Sequence, residues 1–170
     1  ERPEYRENSP RRCYHCKREL YATLQALARE EGLAWVASGT IVDDLADYRP
    51  GLEAAREFGV RAPLQEAGLT KADVRALSRE LGLPTWDKPA QPCLSSRFPY
   101  GTAITEEALA RVERAEEALH RLGLREVRVR FHGDLARIEV PRAAMPLLLA
   151  HADRVVAELR AAGFRHVTLD

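Results

Sequence analysis

The chain has few cysteines, no excess charge of either sign and no long apolar run, and each shortage removes a class of answer. Three cysteines among 170 residues are too few and too odd for a disulfide framework, so the core is expected to hold without cross-links. Without a secretory signal, such thiols read as cytoplasmic. The 26 basic residues balance 26 acidic ones; no global field favours nucleic acid, although a local basic pocket is compatible with that balance. No stretch approaches the ~20 apolar residues that span a bilayer, and neither a membrane span nor a signal peptide is legible. Repeats and low-complexity segments are absent too. What is present is ordinary: 45% hydrophobic and 31% charged residues, enough chain for one large or two small globular domains.

The cysteines carry the most information. Cys13 and Cys16 are spaced C-Y-H-C, and Cys93 stands alone in the proline-rich run K-P-A-Q-P-C-L-S-S-R-F-P-Y-G. Three thiolates are one ligand short of a closed structural zinc site and suit a cluster or metal that keeps one coordination position open for chemistry. Three other readings stay open on spacing alone. The pair can be a redox dithiol, although the strand-loop-helix setting of a thioredoxin motif is missing. A histidine such as His15 can complete a zinc-binding module, or the three thiols can be unrelated and buried.

Helix signals surround the pair. Ser9-Pro10 reads as N-cap and first helical position, which places Cys13 and Cys16 near a helix N-terminus, on one face and in a field that favours thiolate. Leu20, Leu24 and Leu27 continue an apolar stripe that Gly32 ends before the strand-like L-A-W-V-A (33–37). The following S-G-T-I-V-D-D-L-A-D-Y-R-P-G sets small and acidic residues at a strand end, where open α/β sheets bind ligands, and a new helix opens at Pro50. Thr70 and Asp73 form a capping-box start for a further helix that Gly82-Leu83-Pro84 stops. Residues 84 to 104, rich in proline, read as an irregular junction between domains. From Thr105 the pattern becomes helix, two strands, helix and strand, with V-R-V-R-F-H and A-R-I-E-V joined at Gly133-Asp134.

Two polar groupings stand out. Glu116 falls inside the apolar stripe of Leu109, Val112 and Leu119, as either an edge glutamate paired with an arginine or a buried carboxylate acting on substrate. Arg128, Arg130 and His132 share one strand face, which meets solvent or lines a pocket; Arg137 and Glu139 lie on the corresponding face of the return strand, where Glu139 can pair with an arginine.

From about Arg12 to Asp170 the chain resembles the LarE family of ATP-dependent sulfur transferases, in the PP-loop pyrophosphatase superfamily. The resemblance rests on D-Y-R-P-G (47–51), S-S-R-F-P-Y-G-T (95–102), V-R-V-R-F-H (127–132), A-R-I-E-V (136–140) and V-T-L-D (167–170), in that order. It implies an α/β fold: residues 1–101 as the C-terminal part of a Rossmann-like PP-loop domain with a parallel sheet, then residues 102–170 as a small α+β domain completing the site. It also implies adenylation of a pyridinium dicarboxylate mononucleotide by ATP and Mg²⁺, then sulfur insertion towards the nickel-pincer cofactor of lactate racemase. The three cysteines resemble a branch in which Cys13, Cys16 and Cys93 hold a 4Fe-4S cluster with one open iron as sulfur carrier. In that reading Cys93, Arg97 and Glu116 are catalytic and Ser96, Arg128, Arg130 and Glu139 hold substrate. Gly39, Thr40, Asp43, Asp44, Asp47 and Arg49 line the nucleotide side. The expected partners are the small-molecule substrate and further copies of the chain in a trimer or hexamer, without membrane or nucleic acid. The S-G-G-x-D-S phosphate loop of the superfamily is not among these residues, so more protein is expected at both ends. The alternative from the same superfamily is a tRNA-thiolating enzyme with a three-cysteine cluster, which calls for a broad basic surface.

Overall fold

The computed structural model describes residues 2–170. They form two compact units, one of residues 2–5 and 9–88, the other of residues 6–8 and 89–170. The division at Lys88/Pro89 falls inside the proline-rich junction and groups Cys93 and Arg97 with the C-terminal residues, ahead of the expected 101/102 boundary.

In the N-terminal unit, the single turn α1 (Pro3–Arg6) precedes α2 (Arg12–Glu30). Helix α2 starts later than Ser9-Pro10 suggests. The Ser9 carbonyl accepts the Arg12 amide at 2.9 Å, closing a separate turn first, and the helix opens at Arg11 with no side-chain cap. Helix α3 (Gly51–Glu57) crosses α2 closely: a Cβ on Gly51 would meet Lys17 Cγ at 2.9 Å. That approach is possible only because glycine has none. Tyr21 packs on Ala54 and Ala55, flanked by Tyr14, Leu24, Val36, Phe58 and Val60. The buried face of α2 therefore runs through Tyr21 and Ala28, while Leu20 and Leu27 are exposed. The expected leucine stripe is shifted by one residue, since the small residues of α3 admit an aromatic ring in preference to the leucine row.

Gly32 ends α2 as expected. At φ +66 it lets its own amide reach Arg29 O and the Leu33 amide reach Ala28 O, a Schellman closure. The strand read in residues 33–37 reduces to one parallel bridge, Ala37 with Arg61. Pairing cannot continue past Arg61 because Pro63 opens α4 (Pro63–Glu66) directly after it. Helix α5 (Lys71–Glu80) carries the expected capping box: Asp73 N donates to Thr70 Oγ1 at 3.3 Å and Thr70 N donates to Asp73 Oδ2 at 3.0 Å.

The C-terminal unit follows the expected order. Helix α6 (Glu106–Arg121) is capped by Thr105, whose hydroxyl accepts the Ala108 amide at 3.1 Å. Strands β1 (Arg128–His132) and β2 (Leu135–Glu139) form an antiparallel hairpin turning at Gly133, φ +65. The chain crosses over through α7 (Met145–Ala150) and α8 (Ala152–Ala161) and returns as β3 (His166–Leu169), parallel to β2. The sheet order is β1-β2-β3. Val112, Leu119, Val129, Ile138, Leu159 and Phe164 are fully buried, and Phe131 stacks on Phe98 at 4.7 Å. The class is thus mixed α and β, but among the described residues this three-stranded sheet is the only sheet, and no large parallel sheet is seen.

Candidate functional site

Cys93 heads a 3-10 turn (Leu94–Arg97), its carbonyl accepting the Ser96 amide at 2.9 Å. Pro89 and Pro92 hold the approach extended, and the thiol is exposed. It borders a cavity of about 540 Å³ whose lining also includes Arg97, Glu116, His120, Arg128 and Glu139. The cavity lies wholly within the C-terminal unit.

Arg97 and Glu116 are both buried, 5% and 6% exposed. Arg97 Nε and Nη2 donate to Oε1 and Oε2 of Glu116 at 2.8 and 2.9 Å, and the Val129 amide donates to the same Oε1 at 2.8 Å. The remaining nitrogen, Nη1, donates to Pro92 O at 2.8 Å and Ser96 Oγ at 3.0 Å. The guanidinium fork of Arg97, expected among the catalytic groups, is here filled by Glu116. Glu116 itself is both buried and paired, joining two possibilities the sequence presented as alternatives. A charge-assisted bidentate pair of this kind costs too much to leave half made; its geometry ties the Cys93 turn, α6 and β1 together.

The strand-face arginines divide. Arg130 Nε donates to Glu139 Oε2 at 2.8 Å and its Nη1 to Ser96 O at 2.8 Å, while Arg137 Nη2 donates to Glu139 Oε1 at 2.8 Å. Burial works upward on the Glu139 carboxyl, but hydrogen bonds and charge from Arg130 and Arg137 outweigh it and hold the group below its ordinary value. Arg128 is the residue directly across from Glu139 in register, yet Glu139 is already shared by the other two. Among the described residues the Arg128 side chain has no ion pair or hydrogen bond, and the residue is half-buried on the cavity wall. His132, on the same face, is exposed.

The other expected residues belong to the N-terminal unit. Cys13 and Cys16 lie at the start of α2, both exposed, and none of the three cysteines is in a disulfide. That removes the reading of three buried thiols. Among the described residues no group of three or more His, Cys, Asp or Glu side chains is arranged to hold a metal ion. Gly39 and Thr40 precede a second 3-10 turn (Val42–Ala46). Thr40 shares a 2.9 Å hydroxyl contact with Ser38. Asp44 accepts the Ile41 amide and pairs with Arg49 at 2.8 Å; Arg49 also reaches Asp47 at 3.4 Å, and Asp43 accepts the Lys71 amide at the start of α5. These acids tie the loop and the helix end to each other.

One residue of the C-terminal unit gave no sequence signal. Asn8 is fully buried at φ +55, and its side-chain amide donates to Pro99 O at 2.7 Å and Thr102 O at 3.0 Å. Asparagine's tolerance of left-handed backbone was the available hint, but nothing local reports burial.

No family model matches the chain. Among curated proteins it is 52% identical over 170 residues to an uncharacterised protein of Synechocystis sp., covering 99% of this chain and 63% of that one. It is 49% identical over 165 residues to the pyridinium-3,5-bisthiocarboxylic acid mononucleotide synthase of Lactiplantibacillus plantarum, covering 97% of this chain and 60% of the synthase. An uncharacterised protein of Methanocaldococcus jannaschii is 29% identical over 164 residues, covering 96% and 64%. The chain thus spans somewhat under two thirds of the length of each of these relatives. Identity at this level along nearly the whole chain defines a homologue of the synthase. Over the residues it spans, the chain is similar to this synthase, in keeping with the LarE resemblance carried by its motifs.

Proposed function

We propose that this chain supplies the thiol-bearing and substrate-holding part of an ATP-dependent sulfur transferase acting on a pyridinium-3,5-dicarboxylate mononucleotide, the reaction that serves the nickel-pincer cofactor. The observation that carries the reading is the cavity of the C-terminal unit, which both an exposed Cys93 and an uncommitted Arg128 side chain line. The name of the Lactiplantibacillus relative supports the substrate. A mononucleotide with two carboxylates needs a cation free to meet it, and Arg128 is the arginine of β1 whose charge is not already spent. Arg130 and Glu139 hold Ser96 and one another and shape the wall, while Arg97 and Glu116 fix the turn that presents Cys93.

In the whole enzyme, a carboxylate oxygen attacks the α-phosphate of ATP with Mg²⁺, releasing pyrophosphate. Sulfur then attacks the acyl carbon, forming a C–S bond and expelling AMP. The chain's part is to hold the carboxylate beside Cys93 and keep the site walls dry and charged. The resemblance gives Cys13, Cys16 and Cys93 as the ligands of a 4Fe-4S cluster, which when bound would supply sulfur in transferable form. The nucleotide side is assigned to Gly39, Thr40, Asp43, Asp44, Asp47 and Arg49 of a PP-loop α/β domain. The protein is taken to work as a soluble homo-oligomer, a trimer or hexamer, in the cytoplasm; among the described residues no helix is long and apolar enough to cross a membrane.

The test is anaerobic purification of the full-length protein, with iron and sulfide quantitation and thiocarboxylate formation followed in the presence of ATP and substrate. Thiocarboxylate product with about four irons per chain, both lost in Cys93→Ala, is the expected result. Zinc in place of iron sinks the cluster, and product that survives Cys93→Ala sinks the sulfur role of Cys93.

A further inference from the structure

The Cys93 turn is held from its upstream and inner sides by the contacts of Arg97 and Arg130. Its downstream side is held by something more distant in sequence. Residues 6–8 leave the N-terminal helices and join the C-terminal unit as a strap. The Arg6 carbonyl accepts the Ile104 amide at 2.9 Å, the Asn8 carbonyl accepts the Gly101 amide at 3.0 Å, and the Asn8 amide group spans Pro99 O and Thr102 O. Four backbone groups of residues 99–104 are thereby satisfied by two residues of the strap, Arg6 and Asn8.

The placement matters because Pro99 follows Phe98, which closes the 3-10 turn and stacks on Phe131. From Pro92 to Thr102 the backbone is then fixed at Pro92 O by Arg97, at Ser96 O by Arg130, at Phe98 by stacking, and at Pro99 and Thr102 by Asn8. A connecting loop of this length, with no more regular structure than one 3-10 turn, is ordinarily mobile. Here the middle of the loop, Ser95, Arg97 and Phe98, is buried, while the thiol-bearing end and residues 99–101 are exposed.

We infer that Asn8 is a positioning residue: its amide locks residues 99–102, and through them sets the pose of the Cys93 thiol at the cavity edge. The role rests on the reading of Cys93 as the sulfur-handling residue, but the lock itself does not. Two features of asparagine are used at once. The backbone at φ +55 is tolerated by asparagine, aspartate and glycine, whereas the two donated hydrogen bonds need the amide. Aspartate at this position would turn two carbonyls towards a group that cannot donate to them.

The test uses full-length protein carrying Asn8→Asp or Asn8→Gly, each of which keeps the left-handed backbone available. The first readout is the rate at which iodoacetamide alkylates Cys93 in reduced, iron-free protein, followed by mass spectrometry of the peptide that carries it. The second is the split between kcat and KM in thiocarboxylate formation. Both variants are expected to change the alkylation rate by about threefold or more, and to lower kcat by about tenfold while KM stays within about twofold, as misplacement of a reacting group requires. A fall in melting temperature with the alkylation rate unchanged would show a structural residue only and overturn the inference. If neither variant folds, native-state hydrogen exchange of the unsubstituted protein decides: Gly101 and Ile104 amides exchanging as slowly as those of β1 support the lock, and fast exchange there overturns it. Should the unsubstituted enzyme make no thiocarboxylate, the functional reading fails while alkylation and exchange still judge Asn8.

Discussion

In the C-terminal unit Val112 and Leu119 of α6, Val129 of β1 and Leu159 of α8 are out of water, at 0% exposure. In the N-terminal unit Leu33, Trp35, Leu45 and Leu81 remain mostly exposed. The contrast extends to charge. The C-terminal unit seals a bidentate Arg97–Glu116 pair inside its core, whereas Arg11–Glu53 and Arg61–Glu66 of the N-terminal unit lie in solvent. Solvent screening makes the outer pairs cheap to form and cheap to lose; the inner pair is expensive to break and confers a defined geometry. The cavity belongs to the unit that can hold its side chains to one arrangement, and Cys93 is displayed from it. Cys13 and Cys16 ride on a helix whose packing is confined mainly to its Tyr21 and Ala28 face.

This contrast is open to direct attack. Glu116→Ala strands Arg97 in the core and is expected to cost about 3–5 kcal/mol in urea denaturation; a cost below about 1 kcal/mol, the scale of exposed pairs, would put the pair in the same class as those of the N-terminal unit. Leu119→Ala should cost about 2–5 kcal/mol as a cavity in a close-packed core, also read from the denaturation midpoint. Glu139→Gln should cost roughly 0.2–1 kcal/mol near neutral pH, the discount reflecting a partly exposed group. Its pH dependence has a definite sign. Because the folded carboxyl titrates below its ordinary value, its stabilisation is complete above the usual carboxylate pKa of about 4.3 and vanishes as pH falls through the folded value. The melting curves of parent and variant should therefore converge in acid, and divergence there would reverse the assigned shift. Smallest of all, Leu81→Ala should move stability by no more than about 0.5 kcal/mol. A large loss would mean that Leu81 is covered in solution.

How much of this was legible follows the range of the interactions. The Thr70–Asp73 box, the helix start at Thr105 and the Gly133 turn are settled within a few residues, and all three were read from sequence. Glu116 was flagged because a carboxylate broke an apolar period, although the period could not say that Arg97 was its partner. The α2 stripe was misphased because the leucines outnumber Tyr21, and only the alanines of α3 reveal which face is covered. Residues 33–37 have strand composition but a single pairing position, which composition does not report. Arg128 was singled out with Arg130 and His132 as one charged face; that Glu139 serves Arg130 and Arg137 and leaves Arg128 unpaired depends on side-chain direction, not on register. Asn8 precedes the Ser9-Pro10 helix signal, and its partners are 91 and 94 residues away.

That separation has a consequence in time. During synthesis Asn8 leaves the ribosome long before Pro99 and Thr102 exist. At about 5–20 residues per second, the 94-residue interval to Thr102 lasts roughly 5–20 s. Throughout that interval the N-terminal helices can form and pack while the strap has nothing to bind. Water must occupy the amide's donors until the loop that carries Cys93 emerges and displaces it. The loop is thus completed by residues made well before it, and its final pose is set by one that docks only after the loop itself has emerged.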